Sequence, residues 1–104
     1  MKLRAVRGTH DLYGDDIEKY NLIKKIVSQN AKIKSFNQIE TPIFEFTELF
    51  SKPLGAQSDV VLKEMYTFKD RNDDLLTLRP EYTTPMIRSA ITNSMLNNLP
   101  LKIY

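Results

Sequence analysis

The sequence predicts an α+β fold in which helices flank an antiparallel sheet. Three features indicate this fold: a helical stripe that follows residue 15, a polar turn of hairpin length between two extended segments, and a second helical stripe after residue 83. Local hairpins and separate helices are typical of an α+β domain, whereas parallel sheets alternate strands and helices. The chain has 104 residues, which is the size of one domain.

The first half of the chain predicts one long helix and one extended segment. Residues 3–6 are expected to form a short edge strand before a turn at Gly8. Asp15 or Asp16 is expected to cap an amphipathic helix over about residues 16–33. Its apolar stripe consists of Ile17, Tyr20, Ile23, Val27 and Ala31. Residues 38–46 favour a strand, and Pro42 belongs at a strand edge because it cannot donate a ladder hydrogen bond.

The middle of the chain predicts a short helix, a loop and a hairpin. A helix is expected to begin within residues 47–50, and residues 52–59 are expected to form a loop. Asp59 is a suitable cap for a helical turn that reaches Lys63. Residues 65–69 and 75–79 are predicted to form two antiparallel strands, joined by the polar turn at residues 70–74.

The last quarter predicts a strand-to-helix junction and a second helix. Thr84 has the character of an N-cap, with Pro85 at the first helical position. The helical stripe consists of Ile87, Ala90, Ile91 and Met95 and is expected to end near residues 97 and 98. Residues 101–104 resemble the opening of a further strand.

Composition excludes several classes of protein. The chain has 15 basic and 13 acidic residues and a net charge of +2, which does not by itself indicate nucleic-acid binding. It has no cysteine, so disulfides and thiolate metal sites are excluded. No apolar run approaches the roughly 20 residues of a membrane helix, and the first residues lack the apolar core of a signal peptide. We therefore expect a cytoplasmic protein without membrane partners.

Few residues suggest a catalytic or metal site. His10 is the one histidine, and we interpret it as a turn or packing residue. Asp70, Asp73 and Asp74 lack the spacing and the glycine of a calcium loop, so a solvated hairpin tip is the better interpretation. No glycine-rich phosphate loop is present. We predict neither catalytic nor metal-ligating residues in this chain.

The most informative stretch is residues 78–88, LRPEYTTPMIR, at the predicted strand-to-helix junction. A carboxylate held there, that of Glu81, can accept a charge-assisted hydrogen bond from an α-ammonium group. Thr83 can add a hydroxyl or a backbone contact. The alternative is helix capping, in which Glu81 and Thr83 or Thr84 complement the N-terminus of the helix. Spacing alone favours capping.

Four segments together resemble the histidyl-tRNA synthetase family over nearly the whole chain. In order they are RGTHD at residues 7–11, IETPIFEFTELF at 39–50, SDVVLKEMYTFKDR at 58–71 and LRPEYTTPMIR at 78–88. The resemblance implies a class II aminoacyl-tRNA synthetase catalytic domain. Full-length members activate histidine with ATP and magnesium and then transfer it to tRNA(His).

The resemblance also implies roles for individual residues. Glu81 and Thr83 take the positions that line the histidine pocket. Pro42, with Ile43 and Phe44, takes the position of the first class-defining motif at a homodimer interface. One departure is Tyr82, where the family often has glycine, whose backbone torsions and close ligand approach tyrosine does not share.

The resemblance ends before the family's later motifs. The arginines that hold ATP and the C-terminal anticodon-binding domain have no counterpart in residues 1–104. We therefore expect an incomplete catalytic domain, the N-terminal part of a synthetase, that is inactive alone and binds ATP and magnesium poorly. Two alternatives stay open: a histidyl-tRNA synthetase-like regulatory subunit of ATP phosphoribosyltransferase, or a stand-alone dimerisation module without catalysis. Glu81 favours the synthetase, because we expect aspartate there more often in the regulatory protein.

Overall fold

The structure is a computed structural model that describes residues 1–54 and 63–104, with the backbone alone for residues 53 and 54. The chain divides into two compact units. One unit consists of Met1–Gln38 together with Lys102–Tyr104, and the other consists of Ile39–Leu101.

The first unit is built around one long helix, α1, which spans Gly14–Ile33. Gly14 has a φ of +57°, a left-handed value that suits glycine. The predicted helix is confirmed, but it begins two residues earlier than expected. Asp15 and Asp16 lie in its first turn, where acidic side chains complement the helix dipole, and the cap position belongs to Tyr13.

The apolar stripe predicted for α1 is not buried within the described part of the chain. No residue of the helix is buried, and among the predicted stripe only Ile17 and Ala31 are half-buried. Outside α1, Asn37 forms an isolated parallel bridge with Ile103. The strand expected at residues 101–104 is therefore reduced to one bridge.

The strand predicted at residues 3–6 is wrong. The backbone N–H and the hydroxyl of Thr9 both donate to the carbonyl of Val6, at 2.9 and 2.7 Å. Gly8 supplies the positive φ of +85° that this turn requires. The expected turn at Gly8 is confirmed, and the residues before it are not paired as a strand.

The second unit contains a three-stranded antiparallel sheet and its helices. Strand β1 spans Phe44–Phe46, β2 spans Thr67–Lys69 and β3 spans Leu75–Leu78. The sheet order is β1-β3-β2, so the predicted hairpin of β2 and β3 is confirmed. The helices are α2 at Glu48–Leu54 and α3 at Thr83–Thr92, followed by a 3₁₀ helix at Met95–Asn97.

Several predicted boundaries in this unit are wrong. Of the strand expected at residues 38–46, only the last three residues form β1. Residues 52–54, where a loop was expected to begin, belong to α2, which continues to Leu54. The rest of that loop, and the cap expected at Asp59, lie outside the described residues.

The start of α3 also differs from the prediction. The helix begins at Thr83 and not after Thr84, and the N-cap position belongs to Tyr82. Pro85 is the third helical residue and is buried. The predicted apolar stripe is confirmed at Ala90, which is buried, and wrong at Ile87 and Ile91, which are exposed. Pro85 and Ser89 are the other buried residues of the helix. The single helix predicted to end near residues 97 and 98 is two elements, because α3 ends at Thr92 and the 3₁₀ helix follows at Met95–Asn97.

The hairpin tip is organised by one side chain. Oδ1 of Asp70 accepts the backbone N–H groups of Asn72 and Asp74, at 2.8 and 2.9 Å. This Asx-type contact is a common way to hold a tight turn, and Asp73 takes the left-handed φ of 64° within it. The structure therefore supports the interpretation of these aspartates as a hairpin tip.

The two faces of the sheet differ in character. Thr77 stands opposite Glu45 on one neighbouring strand and opposite Thr67 on the other, so these side chains share a face. The opposite face carries aromatic rings that are exposed, among them Phe44 and Phe68, whose rings pack edge to face at 6.0 Å. On the polar face, the side chains of Glu45 and Thr77 are buried.

Three threonine hydroxyls form a directed hydrogen-bond chain on the polar face. The hydroxyl of Thr47 donates to the carbonyl of Leu75 at 3.0 Å. A hydroxyl has a single proton, so the 2.7 Å contact between Thr47 and Thr77 must be donated by Thr77. The hydroxyl of Thr67 then donates to Thr77 at 3.0 Å. This chain satisfies the fully buried Thr77 side chain and fixes the register of β3 against its neighbours.

Candidate functional site

The candidate site lies where β3 leads into α3. Both carboxylate oxygens of Glu81 accept the backbone N–H of Thr84, each at 3.1 Å. This N–H belongs to the first turn of α3, where backbone donors lack partners within the helix. The capping contact that spacing favoured is therefore present, and Glu81 makes it from the residue before the N-cap.

The charge of Glu81 is set by two opposing effects. Partial desolvation raises the pKa of the carboxyl group, and the N–H and hydroxyl donors of Thr84 and Thr83 around it lower the pKa. The hydrogen bonds prevail, so the pKa of Glu81 lies below its ordinary value of 4.5. The group is ionised at neutral pH, and Thr83 follows it as the first residue of α3.

The Glu81 carboxylate retains capacity for a second partner. An ionised carboxylate offers about four lone-pair positions, and the N–H of Thr84 is shared between its two oxygens. The Glu81 side chain is exposed. An approaching cation can therefore contact it without displacing the helix N–H.

Tyr82 contacts a segment distant in sequence. Its hydroxyl donates to the carbonyl of Ile39 at 2.8 Å and accepts the backbone N–H of Thr41 at 3.2 Å. The guanidinium carbon of Arg79 lies 4.3 Å from the centre of the Tyr82 ring, a cation–π distance. Nη1 of Arg79 also donates to the hydroxyl of Thr41 at 3.2 Å.

Arg88 connects α3 to the polar face of the sheet. Its Nε donates to Oε1 of Glu45 at 3.1 Å, and its Nη2 contacts the same oxygen. The side chain of Glu45 is 9% exposed and that of Arg88 is 26% exposed, so the pair is largely withdrawn from water. This ion pair fixes α3, and the site at its N-terminus, against β1.

The residues predicted for a dimer interface lie at the edge of the sheet. Phe44 is the first residue of β1, and Pro42 and Ile43 precede it. All three are exposed, Ile43 to 63%. The carbonyl of Ile43 accepts the N–H of Arg79 at 3.0 Å, so the pairing of β1 with β3 continues to the turn that carries Glu81.

Other predicted features lie apart from this site. His10 is an exposed residue of the first unit, after the Gly8 turn. Among the described residues, no group of three or more histidine, aspartate or glutamate side chains is arranged to hold a metal ion. None of the described helices is both long enough and apolar enough to span a membrane.

Sequence reasoning missed the partners of Tyr82 and Arg88. The contacts of Tyr82 span 41 and 43 residues, and that of Arg88 spans 43 residues. Local periodicity carries no information about such pairs. One signal was available: Glu45 is an acidic residue in an otherwise apolar strand segment, FEF, which indicates a buried partner of opposite charge.

Comparison with known proteins places this chain in a family. The fold belongs among synthetase-like catalytic domains: it superposes on the apo histidyl-tRNA synthetase of S. aureus with a TM-score of 0.82 and 36% identity, covering 98% of this chain and 27% of that one. Residues 8–104 match the histidyl-tRNA synthetase family. The chain therefore belongs to the histidyl-tRNA synthetase family.

Curated relatives agree with this assignment. The histidine–tRNA ligases of Thermosipho africanus and Rhodospirillum rubrum are 43% and 45% identical to the chain, each over 102 residues. These alignments cover 97% and 98% of this chain but 24% and 25% of the relatives, so the chain spans about a quarter of their length. A Bacillus halodurans protein described as an ATP phosphoribosyltransferase regulatory subunit/histidyl-tRNA synthetase shares the fold, with a TM-score of 0.79 at 20% identity over 99% of this chain and 26% of that one.

Proposed function

We propose that this chain supplies the ammonium-binding half of a histidine pocket in a class II histidine–tRNA ligase. Residues 1–104 then correspond to the part of the catalytic domain that carries the first class-defining motif and the LRPE loop. The observation that carries the proposal is the ionised, exposed carboxylate of Glu81, held by the first turn of α3 at the position that matches the family's pocket glutamate.

The chemistry of this half-pocket follows from its charges. An α-ammonium group donates charge-assisted hydrogen bonds to a carboxylate at about 2.7–2.9 Å. The carboxyl group of Glu81, whose pKa is lowered by the N–H groups of the helix, is a much weaker base than an α-amine, so the proton stays on the substrate amine. Thr83 is exposed at the first position of α3 and adds a hydroxyl acceptor beside the carboxylate. In this proposal the half-pocket recognises an amino acid by its ammonium end, and we assign none of the described residues to selection of the imidazole ring.

Activation of histidine requires positive charge at the phosphates of ATP. In full-length relatives ATP and magnesium supply the activated phosphate, and we assign no step through magnesium to this chain because its described residues contain no metal-ligand cluster. We expect the isolated chain to show no histidine-dependent pyrophosphate exchange. Detectable exchange by the purified chain would contradict the assignment of ATP binding to other parts of the enzyme.

We further propose that Pro42, Ile43 and Phe44 contribute to a homodimer interface and that the protein acts in the cytoplasm on tRNA(His). The exposure of these residues on an edge strand supports the interface. Sedimentation at several concentrations tests it. A monomer at high micromolar concentration would count against both the interface and a stand-alone dimerisation module.

The regulatory subunit of ATP phosphoribosyltransferase is the second candidate, because the Bacillus halodurans protein shares the fold. Such a subunit binds histidine and does not charge tRNA. Its 20% identity is well below the 43–45% of the curated ligases. Glu81, in place of aspartate, also favours the ligase.

Histidine binding by the ¹⁵N-labelled chain tests the proposal directly. We expect L-histidine to shift the amide signals of residues 81–84 with a dissociation constant weaker than about 1 mM, because half of the pocket acts alone. L-histidinol, which keeps the ammonium group, should shift the same signals, and N-acetyl-L-histidine should not.

Matched variants make the test specific to Glu81. Glu81→Gln removes the charge at nearly constant shape and should abolish the shifts. Glu64→Gln makes the same change at an exposed glutamate outside the site and should leave them intact. The proposal fails if N-acetyl-L-histidine acts like histidine, or if Glu81→Gln binds as the wild type does. Tight, stereospecific binding of L-histidine would show that the pocket is more complete than we propose.

A further inference from the structure

We propose that Tyr82 is a positioning residue, whose side chain fastens the turn that carries Glu81 to the extended segment at residues 39–41. The role in substrate binding rests on the function proposed above, whereas the fastening itself does not. Tyr82 stands where the resemblance leads to an expectation of glycine, so this chain has a side-chain contact that a glycine cannot make.

The Tyr82 hydroxyl forms hydrogen bonds with backbone groups of residues 39–41, as the backbone of a paired strand would. It donates to the Ile39 carbonyl at 2.8 Å and accepts the Thr41 N–H at 3.2 Å, which uses it both as donor and as acceptor. Residues 39–41 belong to no strand of the sheet. Half-buried backbone N–H and C=O groups outside a sheet need a hydrogen-bond partner. The Tyr82 hydroxyl is that partner for the Ile39 carbonyl and for the Thr41 N–H.

Arg79 adds a second connection from the same turn to the same segment. Its guanidinium group stacks on the Tyr82 ring at 4.3 Å and donates to the Thr41 hydroxyl at 3.2 Å. Its backbone N–H donates to Ile43 at 3.0 Å. Arg79 is therefore held by its backbone and by its side chain, and its side chain holds Tyr82 in place.

Glu81 lies between these two fixed residues. On its N-terminal side Pro80 has a restricted φ and follows Arg79. On its C-terminal side the carbonyl of Tyr82 accepts the N–H of Met86 at 3.1 Å, the first hydrogen bond of α3. The backbone around Glu81 has little freedom, and the carboxylate is directed at Thr84 as a result.

A purely space-filling role for Tyr82 makes a different prediction. If the ring alone mattered, Tyr82→Phe would behave as the wild type. In our proposal the hydroxyl holds the segment, so Tyr82→Phe must release the Thr41 amide, and Tyr82→Gly must have the larger effect. Tyr66→Phe is the matched control, because Tyr66 is exposed outside the site.

The experiment is NMR of the whole chain without histidine. In the wild type we expect the Thr41 amide to be protected from hydrogen exchange, and in Tyr82→Phe to exchange roughly fivefold to tenfold faster. The pKa of Glu81, followed through its side-chain carboxyl carbon, should rise toward its ordinary value in Tyr82→Phe and further in Tyr82→Gly. Tyr66→Phe should change neither quantity.

The outcomes separate this inference from the proposed function. An unprotected Thr41 amide in the wild type would overturn the inference without any variant, so a failure of the variants to fold does not rescue it. Unchanged Glu81 titration in a folded Tyr82→Phe chain would also overturn it. If both readouts move as expected but L-histidine shifts no signal at residues 81–84, the fastening stands and the histidine pocket fails.

Discussion

The ion pair between Glu45 and Arg88 should contribute more to stability than the other ion pairs of the described chain. Its side chains are 9% and 26% exposed, whereas those of Lys52 and Glu48 are 75% and 66% exposed. Exposed pairs typically contribute about 0–1 kcal/mol. Arg88→Met removes the cation and leaves the Glu45 carboxylate in the buried polar face of the sheet without its partner.

The expected cost follows from that burial. Breaking a buried pair by removing one partner costs about 3–5 kcal/mol. The partial exposure of Arg88 admits water to Glu45 and places the cost near the lower end, at about 3 kcal/mol. For a chain of 104 residues this corresponds to a fall in Tm of roughly 14 °C. The free energy of unfolding of a domain is about 5–15 kcal/mol, so Arg88→Met would lose a large fraction of it.

Urea unfolding of four chains measures the effect: the wild type, Arg88→Met, Glu45→Leu and the double variant. Glu45→Leu should cost less than Arg88→Met, because the Arg88 guanidinium can turn toward water. The double variant should recover most of the loss, since replacing both charges leaves neither unpaired. Lys52→Met, at an exposed pair, is the control and should change the free energy of unfolding by less than about 0.5 kcal/mol. A cost below about 1 kcal/mol for Arg88→Met, or simple additivity in the double variant, would refute the reasoning.

Two further predictions concern Glu81 and Thr77. The pKa of Glu81 is lowered in the folded chain, so its contribution is present above the ordinary value of 4.5 and is lost as the pH falls through the lower folded value. Glu81→Gln should therefore be slightly less stable than the wild type at pH 7, by under about 1 kcal/mol. The two urea curves should converge at low pH, and a difference independent of pH would exclude the linkage. Thr77→Val keeps the shape of a fully buried side chain but breaks its contacts with Thr47 and Thr67, and should cost about 1–2 kcal/mol. An unchanged urea midpoint would show that the hydroxyl chain contributes nothing to stability.

The sequence predicted best what short-range chemistry decides. The hairpin of β2 and β3 follows from the polar turn at residues 70–74, and Asp70 organises that turn through contacts two and four residues away. The α1 helix follows from its own composition. These features need no information about distant parts of the chain.

Elements that depend on distant partners were predicted less well. Residues 38–46 have the composition of a strand, yet only three of them pair with β3, and residues 39–41 are held by the Tyr82 side chain. In α3, Ile87 and Ile91 of the predicted apolar stripe are exposed, whereas Arg88 contacts Glu45. Helical periodicity could not predict this contact, because Glu45 lies 43 residues away.

For the candidate site, the capping contact of Glu81 is compatible with the substrate binding proposed above. Sequence spacing presented them as alternatives, and the structure shows the capping contact. That contact lowers the pKa of the carboxyl group through backbone N–H donors and leaves lone pairs exposed to solvent. A carboxylate that binds an ammonium ion must be ionised, rigidly held and accessible. Hydrogen bonding at the helix terminus favours the ionised form. The contacts of Arg79 and Tyr82 hold the turn rigidly, and the exposed junction between β3 and α3 makes the carboxylate accessible.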